Sequence, residues 1–306
     1  MGVKGLAALL IMLVSVAATG AVHLVFPEEE EVVPREGVMV ANLQGAIEEG
    51  GGMFMAAAIS PQRVREVLQQ AEEDASVGAV VLRIDSPGGS VAASQQISSL
   101  IRDFEKPVVI SMADMVVSGG YYISAPADGI VAHPGTITGS IGVISTFVDL
   151  EGFLENLGLE TDVIKSGEHK DMFSRSLTEE ERELMQELSD EAYNQFVEDV
   201  ARGRDLEISR VEEFATGEMI LGSKAERIGL VDRLGGEEEA VEMAGELAGI
   251  EDPAVKRYGE MGFWDMLISP GFQASSLLEH VVLPEEVILM DKAKRGGEPR
   301  LRYEVR

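Results

Sequence analysis

The sequence predicts an α/β fold built on a mostly parallel sheet, and three observations carry the prediction. The runs "VGAVVLRID" and "PVVISM" are apolar almost throughout, as strands covered on both faces are. Between them stand stretches with apolar residues at helical spacing, and strands that alternate with helices of this length imply right-handed βαβ crossovers. Both runs also give way to loops with paired glycines, Gly88 and Gly89 after the first and Gly119 and Gly120 after the second.

Taken in order, "GVMVANLQGAI" from Gly37 is strand-like. "SPQRVREVLQQAEED" places a serine before a proline at the first helical position, a helix start. "VGAVVLRIDSPGG" is a buried strand ending at glycines, and "SVAASQQISSLIRDFE" is a helix. "KPVVISMAD" is the next strand, "SGGYYISAPA" opens another helix, and "DGIVAHPGTITGSIGVIS" reads as strand, turn and strand. A long helix follows from Thr178 to Arg204. Thr178 and Glu181 form a capping box before the apolar stripe Leu184, Leu188, Tyr193, Phe196 and Val200, which reads as core or subunit contact. After Gly249 the pattern weakens. "YGEMGFWDMLISPGF" holds the only tryptophan and reads as a packed terminal helix, or as an amphipathic segment against membrane or partner.

The chain has 306 residues, 45% hydrophobic and 26% charged, enough for one large domain or two small ones. With no cysteine, disulfides, thiolate zinc sites and a cysteine nucleophile are excluded. The net charge of −29, with 17 Arg and 8 Lys, argues against nucleic acid and anionic lipid as partners. A surface so rich in carboxylates also suits a host living in high salt, and unfolding in low salt is the expectation that goes with it.

From Gly5 to Phe26 the chain runs 22 residues without Asp, Glu, Lys or Arg, about the length that crosses a hydrocarbon core, and is expected to be one transmembrane helix. Lys4 precedes it and "PEEEE" follows, which leaves the bulk of the protein outside the cytoplasm. A cleaved signal peptide competes, since "AATGA" offers small residues, but the apolar run continues through "VHLVF". Residues 27–36 form an acidic, proline-bearing linker.

Serine is inert at neutral pH unless a base takes its proton and aimed N–H groups stabilise the oxyanion. Ser118, in "VVSGGYYIS", sits between strand and helix. There the glycines permit a sharp turn and the helix N-terminus offers unpaired N–H groups, Gly119's among them. The "RIDSPGGS" loop can supply a second donor, because adjacent parallel strands bring both loops to one sheet edge. The base is open on these grounds. His133 and His169 carry no triad motif, and Lys165 and Lys170, in "IKSGEHKD", could serve only if burial lowered their pKa.

Together "RIDSPGGS", "ADMVVSGGYYISAPADGIVAHPGTITGSIGVI", "VIKSGEHKDMFS" and "GSKAERIGLVDRLGG" resemble, in order and spacing, the signal peptide peptidase A family of membrane-anchored serine proteases. The resemblance runs from about Gly37 to Gly249 and implies a ClpP/crotonase-like fold of repeated ββα/βαβ units. It implies a Ser/Lys dyad of Ser118 as nucleophile and Lys170, in preference to Lys165, as general base. Gly88 or Gly89, with Gly119, would be the oxyanion donors, and no metal or cofactor is needed. His133 departs from the family's usual asparagine but leaves the dyad in place. Single-domain members form rings in which serine and lysine come from neighbouring subunits, so a homo-oligomeric ring is expected. The implied substrates are apolar signal peptide remnants, and the implied place is the cell membrane, single-pass, with the catalytic domain extracytoplasmic.

The expected organisation is thus a short cytoplasmic N-terminus (1–4), an anchor (5–26), a linker (27–36), a protease domain (37–249) and a C-terminal extension (250–306). The rival readings are a membrane protease of the stomatin-clipping type, an acyl-CoA-using crotonase relative, and an inactive peptide-binding membrane scaffold.

Overall fold

Val80, Leu82 and Ile84 enter one apolar core while Ala79 and Val81 enter another, so the strand that carries them is buried on both faces. The computed structural model describes residues 36–50, 58–149, 151–158 and 162–259. Its strands are β1 (Gly37–Gln44), β2 (Ala46–Ile47), β3 (Ala58–Ile59), β4 (Val77–Ser86), β5 (Val108–Val117), β6 (Gly129–Ala132), β7 (Ile137–Gly139), β8 (Met219–Leu221), β9 (Arg233–Leu234) and β10 (Ala254–Arg257). The main sheet runs β10-β1-β4-β5-β6-β9 with every pair parallel; β7 joins β5 in parallel and β8 antiparallel. β2 and β3 form a separate short pair. This is the mixed α/β architecture that the alternation of strands and helices predicts.

Eight helices accompany the strands among the described residues: α1 (Pro61–Glu73), α2 (Val91–Arg102), α3 (Gly119–Ser124), α4 (Glu151–Asn156), α5 (Glu179–Gly203), α6 (Ile208–Glu212), α7 (Gly222–Ile228) and α8 (Glu237–Ala248). The larger core lies where Met39, Leu82 and Ile110 of the sheet meet Val67 of α1, Ile97 of α2, Tyr121 of α3 and Val200 of α5. On the opposite face Val38, Val81, Val109 and Val131 meet Ala240, Met243 and Ala244 of α8. Two-sided burial explains why the central strands read as continuous apolar runs rather than alternating ones.

Helix starts follow their caps. Ser60 Oγ accepts the Arg63 N–H at 3.2 Å and Pro61 fills the first helical position of α1, a cap whose loss costs about 1 kcal/mol. At α5, Thr178 Oγ1 accepts the Glu181 N–H at 3.2 Å and the Glu181 carboxylate accepts the Thr178 N–H at 2.9 Å, completing the box. The stripe along α5 is not all core. Phe196 and Val200 are buried and Tyr193 is half-buried, but Leu184 and Leu188 stand exposed at 38% and 59%.

The sheet also continues past Gly249, where the sequence pattern weakens. β10 adds to the free edge of β1, and the compact unit runs to Tyr258. The expected anchor at Gly5–Phe26, the linker up to Arg35 and the tryptophan segment after Gly259 lie outside the described residues.

Candidate active site

β5 changes partners along its length. On one side it pairs with β6 as far as Met112 and then with β7 from Met115 to Val117; on the other it stays paired with β4, whose register shifts between Ile84 and Ser86 so that Ser86 meets Val116. Thr136 and Thr138 hydroxyls donate to the carbonyls of Ala113 and Val116, both at 2.8 Å, and the Ser118 N–H donates to the Gly139 carbonyl at 2.9 Å. The strand is thus held to its last residue, and the chain must turn at once into α3. Ser118 takes that turn at φ +54° and ψ −124°. A side chain in the left-handed region stores roughly 1–3 kcal/mol, and such strain persists where the surroundings impose it. Its carbonyl then accepts the Tyr122 N–H at 2.9 Å.

Gly88 lies against this elbow. Its φ is +94°, and a Cβ there would stand 2.8 Å from the Gly119 nitrogen and 2.9 Å from Ser118 Cβ. Only glycine fits. The Gly88 N–H is taken up by the buried Ser86 hydroxyl at 3.1 Å. Gly89 bridges to β2 through its neighbours: the Ile47 N–H donates to the Gly88 carbonyl at 2.9 Å and the Ser90 N–H to the Ile47 carbonyl at 2.8 Å. The Gly89 N–H takes no part in that bridge. Gly89 and Gly119 both line the small space beside Ser118.

That space is a pocket of about 90 Å³, walled by Val91, Tyr122, Val143, Ile144, Ala192 and Phe196. Tyr122 and Phe196 meet at 4.8 Å between ring centroids, and the Tyr122 hydroxyl donates to Asp199. Burial first, then that carboxylate, hold the phenol above its ordinary pKa, so it stays a neutral donor. On its other side Ser118 opens onto a cleft of about 600 Å³ that reaches Gln186, Asp190 and Thr216. A larger groove, about 720 Å³, lies between α1 and α2 and is not lined by Ser118.

Among the described residues no lysine or histidine lines either space beside Ser118. His133 packs its ring towards Gly236, and His169 Nδ1 lies 3.3 Å from Glu181 Oε1. Lys165 is engaged, donating to the Glu168 carbonyl at 2.8 Å and Asp171 Oδ1 at 2.7 Å. Lys170 is exposed, in a turn whose N–H bonds back to the Gly167 carbonyl at 3.5 Å. Desolvation of the Lys170 ammonium, expected from sequence, is not a property of the single chain.

The flanks of Lys170 are ordered by charge. Arg175 donates to Asp171 through Nε and Nη2, both at 3.1 Å, and to Glu181 through Nη1 and Nη2 at 2.8 and 2.9 Å. Lys165 and then Arg175 lower the Asp171 carboxyl to about 2. Arg175, then the Thr178 N–H, hold Glu181 well below the usual carboxylate range. Sequence reading passed over Ser86 and Arg175. The first has a local signal, a serine two residues before a glycine N–H it can accept. The second sits in a turn without periodicity to mark it.

The model of peptidase family S49 matches residues 101–251, the stretch holding Ser118 and Lys170. A Synechocystis protein named as the protease slr0021 is 45% identical over 60% of this chain and 68% of its own length. An Enterococcus faecium protein named as the signal peptide peptidase SppA is 34% identical over 75% of this chain and 69% of its own. Protease 4 of Haemophilus influenzae is 35% identical over 76% of this chain, which covers 38% of that longer protein. In fold the chain is similar to a lysine-to-alanine variant of the 1510-N membrane-bound stomatin-specific protease in complex with a substrate peptide, with TM-score 0.52 and 17% identity over 78% of this chain and 98% of that one. The family model and the two relatives of which this chain covers more than two thirds lead to one assignment: the chain belongs to peptidase family S49 and is a serine protease.

Proposed function

We propose that the protein is a membrane-tethered endopeptidase that degrades apolar signal peptide remnants, with Ser118 as nucleophile and Lys170 of a neighbouring copy as general base. The observation that carries it is Ser118 itself, held at a strained φ of +54° in a pocket that Gly89 and Gly119 also line. Neutral Lys170 Nζ takes the proton from Ser118 Oγ as the oxygen attacks the peptide carbonyl. The N–H groups of Gly89 and Gly119 receive the oxyanion, the ammonium returns the proton to the departing amine, and water releases the acyl group by the same steps.

Three features support a base from a second copy. Lys170 is exposed. Its turn is fastened to Glu181 at the start of α5, about 22 Å of helix rise from Phe196 in the pocket. The same region also exposes large apolar side chains, among them Ile164, Phe153 and Phe173, the last stacked on Phe147 at 5.7 Å. A covering subunit would exclude water from them and from Lys170 together. The apolar pocket, the relatives named as signal peptide peptidases and the apolar run at Gly5–Phe26 support membrane-derived substrates and a site kept close to their source.

Hydrolysis of a hydrophobic signal-sequence peptide by the full chain, beside Ser118→Ala and Lys170→Ala, tests the proposal. Both variants should lose turnover while remaining folded and assembled. Wild-type-like cleavage by either one overturns the dyad, and preferential cleavage of a stomatin-derived peptide would move the protein to the other substrate class.

A further inference from the structure

We propose that Arg175 is a positioning residue for Lys170, holding the general-base turn in register with α5; the inference rests on the reading of Lys170 as the base. The residues on either side of Lys170 are both tied to one carboxylate. Asp171 is gripped by Arg175 through two nitrogens, and Arg175 grips Glu181 through two contacts, while His169 reaches the same Glu181 at 3.3 Å. Between these tethers the Lys170 side chain is exposed, and no protein acceptor for its ammonium is found among the described residues. The turn therefore fixes the backbone on both sides of one lysine and presents that lysine outward.

Glu181 explains why the arrangement is rigid. Its side chain is 1% exposed, and it closes the capping box of α5 by accepting the Thr178 N–H. A buried carboxylate is tolerated only with its partners in place, so the helix start and the lysine turn are bound as one unit. The planar guanidinium suits the task, since its fork can span two carboxylates at once where an ammonium offers a single point of charge. Arg175 is 29% exposed and Asp171 is 14% exposed, so the clasp is partly screened from water, unlike an open surface pair. α5 also carries Ala192 and Phe196 into the Ser118 pocket, so one helix sets both the pocket wall and the place of the lysine. A base that must meet a hydroxyl within hydrogen-bond reach tolerates little misplacement.

The test compares Arg175→Gln, Arg175→Lys and Glu181→Gln with wild type and Lys170→Ala, all as full chains in detergent. The readouts are kcat, KM, oligomer mass, melting temperature and the rate at which a fluorophosphonate labels Ser118. Arg175→Gln should lower kcat by about 10- to 100-fold with KM changed less than about threefold, and should slow labelling in step, at unchanged oligomer mass. Arg175→Lys should recover part of the loss, and Glu181→Gln, which keeps an acceptor for the cap, should fall between. In the Lys170→Ala background Arg175→Gln should slow labelling no further, because it acts only through the lysine.

Wild-type kcat in an assembled Arg175→Gln overturns the proposal. So does a loss that tracks oligomer mass or melting temperature across all three variants, since a plain structural clasp would do the same. Full activity of Lys170→Ala would instead sink the reading of the base, which separates the two failures.

Discussion

Gly88 and Ser118 touch across the ends of β4 and β5, so closely that a Cβ on the glycine would lie 2.9 Å from Ser118 Cβ and 2.8 Å from the Gly119 nitrogen. Ser118 and the Gly119 N–H, the nucleophile and an oxyanion donor under the proposed mechanism, are thereby placed by the same contact. Gly88→Ala should cut kcat by about 100-fold or more, the scale of losing an oxyanion donor, because the methyl group displaces both at once. Its φ of +94° adds a modest loss of stability. Gly135→Ala, where nothing lies within 4 Å, is the control and should be silent. Steady-state kinetics on the two folded variants decide it, and a fully active Gly88→Ala would remove that loop from the site.

The pocket beside Ser118, at about 90 Å³, admits a small or medium apolar side chain, and Ala192 on α5 is part of its wall. Ala192→Leu should fill it. Substrates with leucine on the acyl side of the scissile bond should lose about tenfold or more in kcat/KM, and those with alanine there much less. Profiling a peptide library before and after the change tests the assignment; an unchanged preference would place the recognised side chain in the broader cleft toward Gln186 and Thr216.

The last strand of the described fold is pinned electrostatically. Lys256 of β10 donates to Asp74 at 2.9 Å and to the Ser76 hydroxyl, and Asp74 also accepts the Ser76 N–H at 2.9 Å. Ser76 first, then Lys256, lower the Asp74 carboxyl from 3.8 to about 2. A depressed folded-state pKa stabilises fully above the unfolded value and loses that contribution as pH falls through the folded one. Asp74→Asn keeps an acceptor for Ser76 and removes only the charge. At neutral pH the variant should melt about 1–3 °C lower, in keeping with a half-exposed pair, and the gap should close between pH 4 and pH 2. A gap that is flat with pH would mean the charge contributes nothing.

What the sequence made legible, and what it left hidden, divides along a physical line. Strands buried on both faces carry their signature in every residue, so β4 and β5 were readable, as was the cap at Thr178 with Glu181. The elbow at Ser118 was readable because a strand, a serine and two glycines in succession leave few other conformations. Contacts between distant segments have no such mark. The addition of β10 to β1 depends on pairing across more than 200 residues, the Gly88 N–H was lost to Ser86 through a side-chain bond, and Arg175 finds Asp171 and Glu181 in a turn without periodicity. The exposure of Leu184 and Leu188 was hidden for the same reason, since an apolar stripe reads alike whether the chain's own core or a partner covers it.

If serine and lysine come from different copies, two inactive variants should rescue each other. A site would form wherever a Lys170→Ala chain, with its serine intact, meets the lysine of a Ser118→Ala chain. With random mixing at equal amounts and one donor of each residue per site, about a quarter of the sites carry both groups, so about a quarter of wild-type activity should return. The variants are best unfolded or dissociated, mixed and reassembled, with mixed oligomers verified by native mass spectrometry on differently tagged chains. Recovery near that level, absent from either variant alone, fits a shared site and accounts for the exposed Lys170 of the single chain. No recovery in verified mixed oligomers would require the turn at Lys170 to swing onto its own Ser118, and the clasp at Arg175 would then have to open for the enzyme to work.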